Sequence, residues 1–171
     1  MIFVSGIHGV GKSYFCKMIT EKLGIVAYTA SDLIAQEKAV CFANNKLNSD
    51  IEVNQQYLIQ AIEKLRNSGK QFVLDGHFCL LNSAGEVARV PRNTFTALKP
   101  ETIILLMERP SVIAARRKKR DGIIVSEKEM HNFQTEEYAY AKEIAAEIGA
   151  NLFVSYGKED IGKTLEFIMS L

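Results

Sequence analysis

Eight consecutive residues near the start of the chain have types and spacing that could bind phosphate groups. Residues 6–13 read G-I-H-G-V-G-K-S, which matches the pattern G-x-x-x-x-G-K-[ST]. Glycines allow a tight turn in which backbone N–H groups point at phosphate oxygens, and the following helix adds its positive N-terminal end. Lys12 can then reach the β- and γ-phosphates of a nucleotide, and the Ser13 hydroxyl can ligate Mg²⁺. The predicted nucleotide contacts are Gly6, His8, Gly9, Val10, Gly11, Lys12, Ser13 and Tyr14.

A second candidate group follows the apolar run Phe72–Leu74, which predicts a buried strand that ends at Asp75. In a doubly wound sheet, ligands bind at the carboxyl ends of the strands. The Asp75 carboxylate could therefore hold Mg²⁺ through water or face an acceptor. The alternative is a turn aspartate, because Asp-Gly pairs are frequent in turns. His77 could orient Asp75, touch the acceptor or be a structural hydrogen-bonding histidine.

A third candidate group is the basic run Arg116–Arg120. Such a run is usually a solvated helix face or a weak nucleic-acid patch. Here it leaves a strand that should neighbour the phosphate loop, so it could close over transferring phosphates. Helical spacing places Arg116 and Arg120 on adjoining faces. We expect these two arginines to act in catalysis, with Lys12 and Asp75, while Lys118 and Lys119 turn towards water.

The elements that must position these groups alternate between short apolar runs and longer amphipathic stretches. This pattern predicts an α/β fold, with a parallel sheet covered by helices on both faces in three layers. Capping-box spacing at Ser49–Glu52 and Ser126–Glu129 predicts helix starts, and another helix is predicted to be capped near Ser31. Residues 78–90 predict a β-hairpin. The remaining predicted strands lie at 2–4, 25–28, 102–107 and 152–154, and the remaining helices at 14–23, 109–120 and 161–169. The absence of repeats and linkers predicts a single domain over 1–171.

The composition limits the classes of protein to consider. The 171 residues include 21 Lys and Arg against 20 Asp and Glu and are 47% hydrophobic, which disfavours a globally basic nucleic-acid binder and charge-driven disorder. The three cysteines are odd in number and widely spaced, so no disulfide framework or zinc motif is readable. The longest apolar run, Ile103–Met107, is far shorter than the ~20 residues of a membrane span. We expect a soluble, cytoplasmic protein without a signal peptide.

Three classes of nucleotide-binding protein are disfavoured by missing motifs. A GTPase would need Asn-Lys-x-Asp, but the nearest match at 45–48 ends in Asn. A motor-type ATPase would normally have an apolar strand that ends in Asp-Glu, and the sequence has none. A Rossmann dinucleotide loop would need its third glycine where Tyr14 stands. We therefore expect ATP, with Mg²⁺, as the cofactor.

The chain resembles the small P-loop kinases, most closely the archaeal-type adenylate kinases, through features that occur in order along nearly its whole length. The resemblance implies a five-stranded parallel sheet, an acceptor-binding region at about 31–68, a lid at about 116–128 and a loop at Gly157 that passes the adenine. It also allows a homo-oligomer. The features that carry it are the loop 6–13, Ser31-Asp32-Leu33, Asp75-Gly76-His77 with the hairpin and Pro91, Leu98-Lys99-Pro100, the basic run and the helix around Tyr138-Ala139.

One departure from this family concerns the acceptor's phosphate. The family binds it with arginines located between the second and third strands, whereas residues 30–65 of this chain contain three lysines and no Arg. Arginine can bind a phosphate through two parallel hydrogen bonds, which lysine cannot do. Arg89 and Arg92 are the cations that could replace the missing arginines. The substrate-binding candidates are therefore Asp32, His77, Arg89 and Arg92.

These observations favour a kinase that moves the γ-phosphoryl group of MgATP to a small acceptor, with a nucleoside monophosphate as the first candidate. A hydroxyl acceptor, such as a nucleoside or a polynucleotide end, is the second candidate. It would need a general base, which Asp32 or Asp75 could supply. Asp32 could instead cap its helix together with Ser31. A P-loop ATPase or switch that acts through a partner is the third candidate. We expect no membrane partner; a nucleic-acid partner is disfavoured but stays open, since a polynucleotide end is among the candidate acceptors.

Overall fold

A parallel sheet of five strands forms the centre of the computed structural model, which describes residues 1–42, 51–82 and 84–171. The strands in these ranges are β1 (Ile2–Ser5), β2 (Val26–Thr29), β3 (Phe72–Asp75), β4 (Cys79–Leu81), β5 (Val87–Arg89), β6 (Thr102–Met107) and β7 (Asn151–Tyr156). The sheet has the order β2-β3-β1-β6-β7, and β4 pairs with β5 as a separate antiparallel hairpin. The predicted α/β class, the five parallel strands and the hairpin are confirmed; Ser83 in its turn lies outside the described residues.

Seven helices connect the strands within the described ranges. They are α1 (Lys12–Leu23), α2 (Ala30–Phe42), α3 (Ile51–Arg66), α4 (Arg92–Leu98), α5 (Pro110–Asp121), α6 (Glu127–Ile148) and α7 (Ile161–Met169). The predicted capping box of Ser126 is present at the start of α6. The predicted cap near Ser31 is displaced, because α2 already begins at Ala30 and the Thr29 hydroxyl accepts the backbone N–H of Asp32 at 3.1 Å. The predicted capping box at Ser49 and Asp50 lies outside the described residues.

The register of the sheet places the candidate groups side by side. Strand β1 lies between β3 and β6, and Val4 is paired with Asp75 on one side and with Ile104 on the other. All three strands run in the same direction, so their carboxyl ends meet at one edge. The loop that follows β1 therefore begins next to the end of β3, where Asp75 stands.

An aromatic cluster connects this edge to the helices on one side of the sheet. Phe78 lies 5.2 Å from Phe3 and 4.6 Å from Phe95 between ring centroids, and Tyr140 packs edge-on against both Phe78 and Phe95. All four side chains are almost fully buried. Aromatic pairs of this kind contribute about 0.5–1.5 kcal/mol each beyond the area they bury. The cluster fixes the segment after β3 against α4 and α6. None of the helices in the described part of the chain has the length and apolarity needed to cross a bilayer.

Candidate active site

Residues 6–13 form a compact loop between β1 and α1 whose shape depends on glycine. Gly6 has φ +140°, and a Cβ at this position would lie 2.6 Å from the carbonyl oxygen of Leu106. Any other residue would therefore have to push the loop away from β6. Gly9 and Gly11 also have positive φ values, of +90° and +118°. The loop leads into α1, which begins at Lys12, so its backbone N–H groups lie at the positive end of a helix.

The Lys12 ammonium joins this loop to the end of β3. It donates to the Gly6 carbonyl at 2.8 Å and to Nε2 of His77 at 3.2 Å, and it lies 3.8 Å from Oδ1 of Asp75. The side chain is 8% exposed. Burial lowers the pKa of Lys12, while the Asp75 and Glu137 carboxylates act in the opposite direction. A phosphate group next to the loop would give the ammonium a stronger anionic partner.

Asp75 and His77 are brought against Lys12 by the close packing of Gly76. A Cβ on Gly76 would lie 2.6 Å from the ring of Phe3, so a larger residue here would have to displace that buried ring. Burial raises the pKa of Asp75, and Lys12 opposes this shift. Burial also lowers the pKa of His77 to about 2, with a further contribution from Lys12. Because an ammonium can only donate, Nε2 of His77 accepts and Nδ1 carries the proton.

A buried carboxylate that was not among the predicted site residues holds the start of the phosphate loop next to the segment that follows β3. Glu137 on α6 is 1% exposed, and its Oε1 accepts from Ser5 Oγ at 2.9 Å, Gly6 N at 3.2 Å and Phe78 N at 3.0 Å, while Oε2 accepts from Cys79 N at 2.6 Å. Burial raises the pKa of Glu137, and these hydrogen bonds oppose the shift. The sequence carried a signal for it, since position 137 falls on the apolar face of α6.

The basic run divides into residues with different surroundings. Arg116 donates to the Val10 carbonyl at 2.7 Å and pairs with Glu108 at 3.1 Å, so it lies against the phosphate loop. Arg120 also lines the site, but it is 63% exposed and its guanidinium pairs with the neighbouring Asp121. Arg117 is buried, with its Cγ 2.9 Å from where a Cβ of Gly9 would be. It packs under the loop. Lys118 and Lys119 are both exposed, which agrees with the prediction that they turn towards water, and Lys119 also lines the site.

The candidate groups open into a cavity of about 870 Å³. One half of the wall is formed by the phosphate loop, the end of β3 and α5, and it contains Ser13, Tyr14, His8, Asp75, His77 and Arg116. The other half is formed by β1, the end of β2, α2, α3, the hairpin segment and α4. The division places phosphate-binding groups at one end of a single cavity.

A second cavity of about 410 Å³ lies between the phosphate loop and the ends of β6 and β7. Its wall contains Gly157, as expected from the resemblance, together with Tyr14, Met107 and Ile161. The Gly157 N–H donates to the Met107 carbonyl at 2.9 Å, which fixes the loop after β7 against β6. Apolar walls beside a phosphate loop suit the base of a nucleotide.

Three of the predicted acceptor-binding residues lie outside the larger cavity. The Asp32 side chain is exposed in the first turn of α2 and does not line the cavity. This position agrees better with the alternative that Asp32 belongs to the start of its helix than with contact to an acceptor. Arg89 pairs with Glu136 and Glu143 on α6. Arg92 pairs with Glu143 and Glu147, and both guanidiniums lie over the Tyr140 ring. The structure therefore disagrees with the prediction that these two arginines replace the family's acceptor arginines, because they fasten the hairpin and α4 to α6.

The residues present fit a magnesium ion that is held chiefly by other ligands. Mg²⁺ prefers oxygen donors and keeps several waters and substrate phosphates in its shell. Ser13 presents a hydroxyl and Asp75 a carboxylate to the same half of the cavity. No group of three or more His, Cys, Asp or Glu side chains that could cage an ion occurs in the described ranges. Ser13 and Asp75 would hold Mg²⁺ here only together with a nucleotide.

Fold and site together define a P-loop kinase. The sheet order, the glycine loop around Lys12 and the acidic strand end beside it are the parts that this class uses to hold a nucleoside triphosphate. The chain belongs to the family described as AAA domain, whose family model matches residues 5–135.

Known proteins similar to this chain carry kinase names. An adenylate kinase of Pyrobaculum aerophilum is 28% identical over 170 residues, covering 93% of this chain and 86% of that protein. Among solved structures, a sugar kinase of Janibacter has a TM-score of 0.58 at 16% identity, covering 99% of this chain and 91% of that one. A gluconokinase of Sinorhizobium meliloti has a TM-score of 0.56 at 17% identity, covering 96% and 86%. At these identities the two structures support the fold alone.

Proposed function

We propose that the chain transfers the γ-phosphoryl group of MgATP to a small acceptor bound in the larger cavity. The observation that carries the proposal is the position of Lys12, whose ammonium contacts both the phosphate loop and the Asp75–His77 segment at the wall of one continuous cavity. The similarity to an adenylate kinase along most of the chain also supports phosphoryl transfer. A nucleotide in the loop would thus present its terminal phosphate to whatever occupies the remaining space.

The chain's own residues would act by positioning and by neutralising charge. Backbone N–H groups of residues 6–13 hold the phosphates, and Lys12 and Arg116 place positive charge beside the oxygens that become more negative during transfer. Ser13 and Asp75 would hold Mg²⁺, which would supply positive charge to neutralise the phosphates. We propose that residues 116–128 close over this end as a lid and that the acceptor binds around residues 31–68.

Two acceptor classes are consistent with the names of similar proteins. An adenylate kinase, such as the Pyrobaculum protein, phosphorylates a phosphate group, whereas a sugar kinase or gluconokinase phosphorylates a hydroxyl. In both classes the acceptor oxygen attacks the γ-phosphorus in line with the leaving ADP. The third candidate, an ATPase or switch, would hydrolyse ATP without passing the phosphoryl group to an acceptor.

The test is a transfer assay with terminally labelled ATP and a panel of nucleoside monophosphates, nucleosides, sugars, gluconate and polynucleotide ends. We expect label in at least one acceptor, in an Mg²⁺-dependent reaction that Lys12→Met abolishes. The methionine keeps the unbranched stem of the lysine and removes its charge, so the fold should persist. ATP hydrolysis that no panel member alters, but that a protein or RNA partner stimulates, would replace this proposal with the switch.

A further inference from the structure

The half of the larger cavity that faces away from the phosphate loop has no charged side chain among the described residues. Its wall combines apolar side chains with a few neutral polar ones, such as Thr29, Ser31 and Gln55. The buried apolar members are Phe3, Leu58, Val90, Phe95 and Leu98, and Leu80 is partly buried. The Lys and Arg side chains that do line the cavity belong to α1 and α5, at the nucleotide end.

The arginines near this neutral half are already engaged by other groups. Arg66 at the end of α3 donates to the carbonyls of Ala97, Leu98 and Lys99 at the end of α4. Arg89 and Arg92 are paired with carboxylates of α6. Releasing any of them would leave carbonyls or carboxylates without their partners. Within the described residues, these three arginines are therefore engaged elsewhere, and no Lys or Arg side chain lines the neutral half.

A phosphate monoester would be poorly accommodated in such a wall. Moving an ionised group out of water is costly unless it is paired and hydrogen-bonded. Proteins meet this cost for phosphate chiefly with arginine forks, lysines or clusters of backbone N–H groups. In this cavity the phosphate loop supplies such groups, and the nucleotide's own phosphates would occupy them. An uncharged molecule would instead be stabilised by burial against the apolar side chains.

We propose that the acceptor is an uncharged alcohol that packs against these apolar and neutral polar side chains, such as a nucleoside, and not a phosphate monoester. This proposal rests on the proposed function and narrows it to a hydroxyl acceptor. Thr94 gives a second, independent observation. Its side chain is 2% exposed at the wall of the neutral half, and its hydroxyl has no hydrogen-bond partner among the described residues. An unpaired hydroxyl at this depth suits a neutral polar group on the ligand.

The transfer balances without any further reactant. The acceptor's O–H bond breaks and its oxygen forms a bond to the γ-phosphorus. The bond between that phosphorus and the bridging oxygen breaks, and its electron pair leaves with ADP. The products are a phosphate monoester, ADP and one proton, which is released to solvent. At near-neutral pH, proton release can therefore be followed as an independent measure of transfer to a hydroxyl.

The deciding experiment compares each alcohol with its own phosphate, because the two members of a pair differ only in the group that is in question. Adenosine is paired with AMP, thymidine with dTMP and uridine with UMP, with gluconate as an anionic alcohol. We expect kcat/KM for the best neutral alcohol to exceed that of its monophosphate and that of gluconate at least tenfold. Transfer that favours a monophosphate or gluconate would overturn this inference and leave the proposed function standing. Transfer to no panel member would overturn the proposed function itself.

A variant tests the physical cause. Gln55 lines the neutral half from α3, so Gln55→Arg introduces a cation where we infer that none is available. We expect kcat/KM for AMP to rise at least tenfold, with no rise for adenosine. Gln60→Arg is the matched control, because Gln60 is exposed on the same helix and does not line the cavity. A folded Gln55→Arg protein with no gain for AMP would overturn the argument from missing charge.

Discussion

Replacing Glu137 by glutamine should destabilise this protein strongly, although the two side chains have nearly the same shape. The amide oxygen can take the place of Oε1 and keep its three donors, but the amide NH₂ then faces the backbone N–H of Cys79. One hydrogen bond to a charged acceptor is lost, worth about 1.5–3 kcal/mol, and two buried donors are left facing each other. Relief of the buried charge offsets part of this cost. We expect the free energy of unfolding to fall by ~2–4 kcal/mol.

The measurement is denaturant or thermal unfolding of Glu137→Gln beside Glu136→Gln. Glu136 is the neighbouring residue on α6, but its side chain is 39% exposed and it pairs with Arg89 at the surface. Such a surface pair contributes up to about 1 kcal/mol. For a chain of this length we expect the Tm to fall by roughly 5–15 °C in the first variant and by a few degrees at most in the control. Equal, small losses in both would refute the reasoning.

A double-mutant cycle identifies which contacts carry the effect. Ser5→Ala removes one of the four donors to Glu137 and leaves the other three in place. We expect Ser5→Ala to cost about 1 kcal/mol in the wild-type protein. The coupling between Ser5→Ala and Glu137→Gln should be at least about 0.5 kcal/mol, because the hydrogen bond from Ser5 is retained in the glutamine variant but then reaches a neutral acceptor, where it contributes less. Strict additivity would mean that Glu137 acts through some other part of the structure.

Three further predictions concern the site. Asp75→Asn should lower kcat at least tenfold with little change in ATP affinity, measured by turnover and nucleotide titration, and an unchanged rate and Mg²⁺ dependence would make it a turn residue. Arg116→Lys should lower turnover about tenfold, whereas Lys118→Gln should change turnover little. Equal losses of turnover in the two variants that become smaller as salt rises would indicate a solvated helix face. Because the pKa of His77 is lowered to about 2 in the folded state, stability is fully present above the ordinary value of 6.5 and is lost as pH falls below it. Between pH 7.5 and pH 5, His77 should lower the free energy of unfolding by about 2 kcal/mol. Unfolding curves of His77→Gln should lack this loss, and identical pH slopes for the two proteins would contradict the prediction.

Much of the fold and the phosphate loop could be predicted because the signals are local. A run of apolar residues marks a parallel strand, and Pro, Gly and capping residues mark the ends of its neighbours. Strand β6 and helix α7 have the predicted bounds, and α1 begins only two residues earlier than expected. The first two residues of α1, Lys12 and Ser13, were missed because they belong to the loop motif itself. The sequence placed Lys12 in the loop, but its contacts with His77 and Asp75 could not be read from it, because these residues lie more than 60 positions away.

The acceptor end could not be predicted in the same way, because its contacts join residues far apart in the chain. Arg89 and Arg92 were expected to face an acceptor, yet carboxylates 47 to 55 residues away hold them on α6. Nothing local to an arginine reveals which carboxylate it will meet. Helical spacing suggested that Arg120 faces inward, but its immediate neighbour Asp121 competes for the guanidinium.

Helix α6 holds several separate segments of the site through hydrogen bonds from its side chains. It is 22 residues long, about 33 Å, and successive side chains hold separate loops: Gln134 binds the backbone of Glu108, Glu137 binds the segments after β1 and β3, and the Tyr140 hydroxyl donates to the Val90 carbonyl. Loops attached to one stiff rod open together, so their amides should exchange with solvent as one cooperative unit. A nucleotide at a hundred times its Kd would stabilise the folded protein by about 2.7 kcal/mol, so amide exchange at the distant hairpin would slow by about a hundredfold. Binding of the nucleotide at one end of the cavity would in this way stabilise the other end. The nucleotide would then bind before the acceptor without movement of a domain.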